Sequence, residues 1–210
     1  IDLTILVGQM LGEVAPEDLV TPDGLRPGDA IVLSKGIAIE GTAILARERG
    51  TELEGLVPPD VLERAAAFLH DPGISVVPEA RAAAQAARLH AMHDPTEGGL
   101  ATALAELATA GGVGLRVHAD RVPVFPETAL LTRHFGLHPW GTIASGALLA
   151  ACAAEDAERV VQAVRALGIW ADVIGEATAD NEMVVIDEEG AEQPLPVFAR
   201  DEIARLFEED

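Results

Sequence analysis

Short apolar runs bounded by glycine, proline and aspartate alternate with amphipathic, alanine-rich stretches along most of this chain. That alternation limits it to folds that lay helices on a sheet. Asp29–Ser34 reads as a buried strand, and Glu40–Glu48 as a helix with Ile44 and Leu45 inward. A second helix at Pro59–Leu69 and a short strand at Ile74–Val77 follow. Pro78–Met92 opens with proline, the usual first-turn residue, and reads as an alanine-rich helix. Pro95–Ala110 sets Leu100, Leu104 and Leu107 on one stripe, and Gly111-Gly112 closes it as a left-handed cap would. Val113–Val117, Ala147–Ala151, Trp170–Ile174 and Glu182–Ile186 read as strands; Glu127–Phe135, Glu155–Leu167 and Arg200–Phe207 read as helices. Asp187–Gly190 is a solvated turn. Strands this short and irregularly spaced predict an α/β sandwich, a mixed sheet with helices packed on one face, rather than a doubly wound sheet. Leu3–Leu11 is strand-like but has no hairpin partner, so it is expected to complete a sheet belonging to something upstream or to another subunit.

Composition narrows the functions. Aromatics are 3% of the chain and tyrosine is absent, so the core must be aliphatic. The net charge of −21 repels phosphate backbones and anionic lipid, which argues against nucleic-acid and membrane roles. A nucleotide would have to bind through backbone amides and a divalent metal rather than a basic patch. The single cysteine, Cys152, excludes an internal disulfide framework and fits a reducing, cytoplasmic setting. Its apolar surroundings predict a buried, inert thiol. The first residue is Ile1, which reads as a fragment or a trimmed product.

The most informative stretch is His93-Asp94-Pro95-Thr96-Glu97-Gly98-Gly99-Leu100. Asp94 as a cap, Pro95 in the first turn and Glu97 reaching back would make a capping box, which needs no function. Two glycines inside a first turn cost roughly 1 kcal/mol each against alanine. Such a cost is reasonable where a ligand or another backbone must come close, and bare helix amides attract phosphate.

This Asp-Pro-Thr-x-Gly-Gly-Leu stretch, followed by an Ala/Leu helix, resembles the signature of the AIR-synthase (PurM-like) superfamily, on its hydrogenase-maturation (HypE-like) branch. Three further segments are similar in the same order: Leu25-Arg26-Pro27-Gly28-Asp29 with the strand after it, Gly41–Glu48, and Gly136-Leu137-His138-Pro139. The resemblance runs from about residue 3 to 185. It implies that residues 25–210 are a PurM-like carboxy-terminal domain. Residues 1–24 would then be a strand and linker left from an amino-terminal ATP-binding domain. Members bind Mg-ATP in a cleft between the two domains, activate a carbonyl or amide oxygen by phosphorylation, and dimerise. Transferred by position, Asp94, Thr96, Gly98 and Gly99 would face that cleft. ATP and Mg2+ are expected only with the full-length protein, alongside a small-molecule or protein-borne substrate. Most nucleotide contacts and the acidic metal ligands would lie in the other half, so neither a catalytic residue nor a metal ligand is assigned here.

Some residues depart from the pattern. The branch acts on a thiol at its own carboxy-terminus, whereas this chain ends Phe207-Glu208-Glu209-Asp210. The loop that usually carries Glu-Gly-Lys reads Ala144-Ser145-Gly146-Ala147, and Glu40 stands where His is usual. These changes leave open a non-catalytic binding or regulatory module that keeps the fold. Lys35, the sole lysine, is either a phosphate contact or a plain loop cation, and Ser145-Gly146 could offer donors. His90 and His93 read as solvated helix-end residues, a weak metal pair without a third ligand. Trp140 and Trp170 read as packing anchors.

Overall fold

The computed structural model describes residues 7–9 and 11–207, and among these seven strands form one mixed sheet. β1 (Asp29–Ser34), buried along its whole length, runs antiparallel to β4 (Leu149–Ala153) on one side and β5 (Ala171–Thr178) on the other. β2 (Leu89–His93) lies outside β4, and β3 (Gly114–His118), β6 (Met183–Ile186) and β7 (Glu192–Pro194) extend the sheet beyond β5. Among these seven strands only β3 and β6 pair in parallel.

Successive residues of β1 divide the core between two layers, as the two-residue period of a strand requires. Ile31 and Leu33 meet α4 (Gly99–Gly111), whose Leu100, Leu104 and Leu107 are fully buried and contribute roughly 2 kcal/mol each. Ala30 and Val32 meet α3 (Val77–Ala86) and α6 (Ala157–Arg165) through Ala83, Val160, Val161 and Val164. A third cluster joins α1 (Ile39–Glu48), α2 (Pro59–Ala67) and α5 (Pro126–Phe135) around Leu45, Ala65 and Leu131. The α/β sandwich with a mixed sheet is therefore as expected. The one-face detail is corrected, because strands apolar on both sides need helices on both.

The alanine-rich helix expected to reach Met92 stops at Ala86. Ala87 is extended, and Leu89–His93 pairs with β4 as a strand. A bulge between Leu89 and Ala91 sends those two side chains into different layers, so pairing overrides the helical preference of the run. Val77 begins α3 rather than ending a strand. The helix expected from Pro95 begins at Gly99, so the capping box does not form. The closing helix is a 3-10 turn at Glu202–Leu206. Most of the first predicted strand, residues 3–6 and 10, lies outside the described residues; Val7, Gly8, Gln9 and Leu11 carry no strand. Cys152 is fully buried, and burial pushes its thiol up to about 11. Trp140 packs in the core, but Trp170 is 38% exposed and is no anchor. No helix among the described residues is long and apolar enough to cross a membrane.

Candidate functional site

The loop 94–98 leaves β2 and turns into α4 through two left-handed glycines, Gly98 at φ 77° and Gly99 at φ 65°. Its hub is the Thr96 carbonyl, which accepts from Gly99 N–H at 3.0 Å and Ala144 N–H at 3.3 Å. The Gly98 N–H donates to Asp201 Oδ2 at 2.7 Å, while Asp201 Oδ1 accepts from Ile203 N–H at 2.9 Å. The closing segment is thereby tied to the start of α4. Phe198 sits beneath Gly141, where a Cβ would lie 2.6 Å from its ring, and Glu202 accepts from His138 N–H at 2.9 Å.

The glycine pair has a reason inside the domain. A Cβ on Gly99 would lie 2.5 Å from the Trp140 carbonyl oxygen and 2.7 Å from that of Thr142; on Gly98 it would meet the Thr102 side chain. The close neighbour inferred from the sequence is therefore this chain's own backbone. Both glycine amides already have acceptors, so the bare phosphate-binding amides expected there are not left over. Asp94 and Glu97 are exposed, and Thr96 is half-buried between them.

Ser145 and Gly146 follow directly from the Ala144 amide that Thr96 holds. Gly146, at φ 108°, packs 3.0 Å from the Gly73 carbonyl oxygen, measured from where a Cβ would stand. Lys35 reaches the same turn from the end of β1. Its Nζ donates to the Gly146 carbonyl at 3.0 Å and the Ser75 carbonyl at 2.7 Å, and pairs with Glu79 Oε1 at 2.7 Å. It is neither a loop cation nor a ready phosphate contact, because an ammonium has three protons and all three are engaged. Thr96, Gly98 and Gly99 are thus joined to Ser145, Gly146 and Lys35 through the carbonyls of Thr96, Ala144 and Gly146, while Asp94 stands exposed at the start of the loop.

The histidines stand apart from it in role. They lie on a strand, not a helix end. His90 Nδ1 lies 2.8 Å from Asp29 Oδ1, whose partner oxygen accepts from Arg26 N–H at 2.9 Å; His93 Nε2 pairs with Glu106 at 2.9 Å. Among the described residues no group of three or more histidine, cysteine, aspartate or glutamate side chains is arranged to hold a metal. Sequence reasoning missed Glu79 and Asp201. Asp201 carries a local signal as a cap of the last turn, but nothing local announces its bond to Gly98.

The sequence profile of the family described as AIR synthase related protein, C-terminal domain, matches residues 26–188. The chain belongs to that family. As a member of the AIR synthase related proteins it is 34% identical over 175 residues to the carbamoyl dehydratase HypE of Rhizobium leguminosarum bv. viciae, covering 82% of this chain and 47% of that protein. The chain spans about half the length of the curated relatives it matches. The AIR-synthase-related fold also superposes on the crystal structure of Escherichia coli HypE, with a TM-score of 0.71 at 23% identity, over 89% of this chain and 55% of that one. A hydrogenase maturation protein HypE solved in complex with ATP matches at TM-score 0.68 and 22% identity, over 91% of this chain and 57% of that one.

Proposed function

We propose that this chain is the carboxy-terminal half of a HypE-like carbamoyl dehydratase of hydrogenase maturation, with residues 1–24 leading in from an amino-terminal ATP-binding domain. The full protein binds Mg-ATP in the cleft between its halves and activates a carbonyl or amide oxygen by phosphorylation, as a cytoplasmic homodimer. The relationship to carbamoyl dehydratases and the ATP complex of a fold neighbour support this reading. The observation that carries it is the convergence of the loops 94–98 and 144–147 on the Thr96 carbonyl.

The donors present suit a metal-neutralised phosphate better than a bare one. The amides of Gly98 and Gly99 and the Lys35 ammonium are engaged within the domain. The Thr96 and Ser145 hydroxyls and the exposed Asp94 and Glu97 carboxylates remain as the groups that would face Mg-ATP. Bound there, Mg-ATP supplies an electrophilic phosphoryl group that turns the substrate oxygen into a leaving group. Thr96 and Ser145 would orient phosphate oxygens by donating hydrogen bonds from their hydroxyls, and Asp94 or Glu97 would accept from water carried by the Mg2+ that accompanies the nucleotide. Because these hydroxyls sit on loops fixed by backbone hydrogen bonds, they need little reorganisation as charge develops.

Calorimetric titration of the full-length protein with Mg-ATP tests this reading. Binding that weakens about tenfold in Thr96→Ala supports it. No binding to the full-length protein leaves the non-catalytic module.

A further inference from the structure

We infer that the buried Lys35–Glu79 ion pair is the positioning element of the candidate site: it sets the 144–147 turn, and through it Ser145 and Thr96, without touching a ligand. The inference deepens the reading above and rests on it for its consequence in nucleotide binding. Its geometry stands on the domain alone.

Lys35 and Glu79 side chains are 6% and 0% exposed. Glu79 lies in the first turn of α3 and Lys35 just past β1, where the Lys35 N–H donates to the Trp170 carbonyl at 2.7 Å. The pair therefore joins the sheet, the Ser75 segment, α3 and Gly146 at one point. From Gly146 the path to the site is continuous. Ala147 N–H donates to the Ala144 carbonyl at 3.2 Å, and Ala144 N–H donates to Thr96 at 3.3 Å. Gly146 has little freedom to drift, since Ile74 Cα and Ile39 Cδ1 stand 3.1 and 3.2 Å from its would-be Cβ.

The pair is poorly built for stability alone. Glu79 Oε2 is buried with no hydrogen-bond partner among the described residues, and the Ser34 hydroxyl reaches Oε1 only at 3.4 Å. Lys35 is moreover held at φ 58°, a left-handed conformation costly for a residue with a Cβ. A buried ion pair can often be replaced whole by apolar side chains with little loss, whereas removing one partner strands a charge. That asymmetry separates positioning from mere support.

The test compares the full-length protein with its Lys35→Met/Glu79→Met double variant. The double variant should melt within about 5 °C of the parent. Its Ala144 and Ala147 amides should nevertheless exchange at least about tenfold faster, with β1 and α3 amides unchanged. Unchanged exchange at 144–147, or acceleration spread evenly over β1 and α3, overturns the inference. Should the double variant not fold, Glu79→Gln keeps the size and an acceptor but loses the charge. It should speed exchange about threefold at those two amides alone, and no change there also overturns the inference. In the same proteins the Kd for Mg-ATP should rise about tenfold in the double variant. Wild-type affinity in a variant with a loosened turn overturns the link to the site. A parent that does not bind Mg-ATP defeats the reading of the site, and the exchange result then decides the positioning role by itself.

Discussion

Two stretches of left-handed backbone pack against the segment 140–147, and they carry opposite kinds of residue. At the start of α4 the bend is made by Gly98 and Gly99; at the end of β1 it is made by Lys35 and Ala38, at φ 58° and 56°. The first pair has no choice. A Cβ on Gly99 would collide with the backbone of Trp140 and Thr142, which cannot step aside. At Lys35 a side chain is kept despite the left-handed backbone, and it is committed to the buried pair with Glu79. A glycine pair thus records a steric limit, while a strained lysine records an interaction worth keeping. The glycines are not by themselves a sign of a ligand, although they fix the loop that would meet one.

The sharpest break of this comparison is Gly99→Val. It adds a β-branched side chain at positive φ against rigid backbone, so strain and overpacking together should cost on the order of 5 kcal/mol. Urea unfolding should show little folded protein, even though the site lies at one end of α4. Gly112 is the control, at φ 64° with nothing within 4 Å of its would-be Cβ. Gly112→Ala should cost only about 1 kcal/mol, from conformation alone. Equal losses in the two variants would mean that close approach is not what the Gly98-Gly99 turn records.

Asp201→Ala should come next. It removes charge-assisted hydrogen bonds to the Gly98 and Ile203 amides, 2.7 and 2.9 Å long, and leaves the buried Gly98 N–H without an acceptor. A loss of about 2 kcal/mol in urea unfolding is expected. Asp201→Asn keeps an acceptor and should lose about half as much. If Asn is as damaging as Ala, charge rather than acceptance ties the closing segment to α4.

The contrast between the two bends also explains what could be read from the sequence. β1 was legible because Asp29–Ser34 is buried on both faces, so its apolar run is unbroken. The stripe of α4 was legible because Leu100, Leu104 and Leu107 repeat at helical spacing. Asp94, Thr96, Gly98 and Gly99 are read from a motif whose glycines punctuate the chain, Lys35 from its place at a strand end, and Ser145-Gly146 from a loop that offers donors; backbone carbonyls join all of them but Asp94. β2 was misread because Leu89–His93 continues an alanine-rich run, and only its partner β4 makes it a strand. The roles of Lys35 and Asp201 were out of reach for a related reason: their decisive bonds span 111 and 103 residues. Local pattern records propensity and turns, whereas a long-range polar contact leaves no periodicity behind.

Ala38→Gly gives the finest test of the same contrast. Ala38 is fully buried at φ 56°, and its carbonyl accepts from both the Thr42 N–H at 2.9 Å and the Thr42 hydroxyl at 2.7 Å. Glycine would relieve left-handed strain of about 1–2 kcal/mol. Against that, one buried methyl contributes about 0.8 kcal/mol, and glycine adds roughly 0.5–1 kcal/mol of chain entropy to lose on folding. The terms nearly cancel, so the urea midpoint should move by less than the equivalent of about 0.5 kcal/mol. A gain above about 1 kcal/mol would show that the bend after β1 stores strain that packing does not offset. The ion pair at Lys35 would then be holding the whole turn, Ala38 included, and not only its own residue.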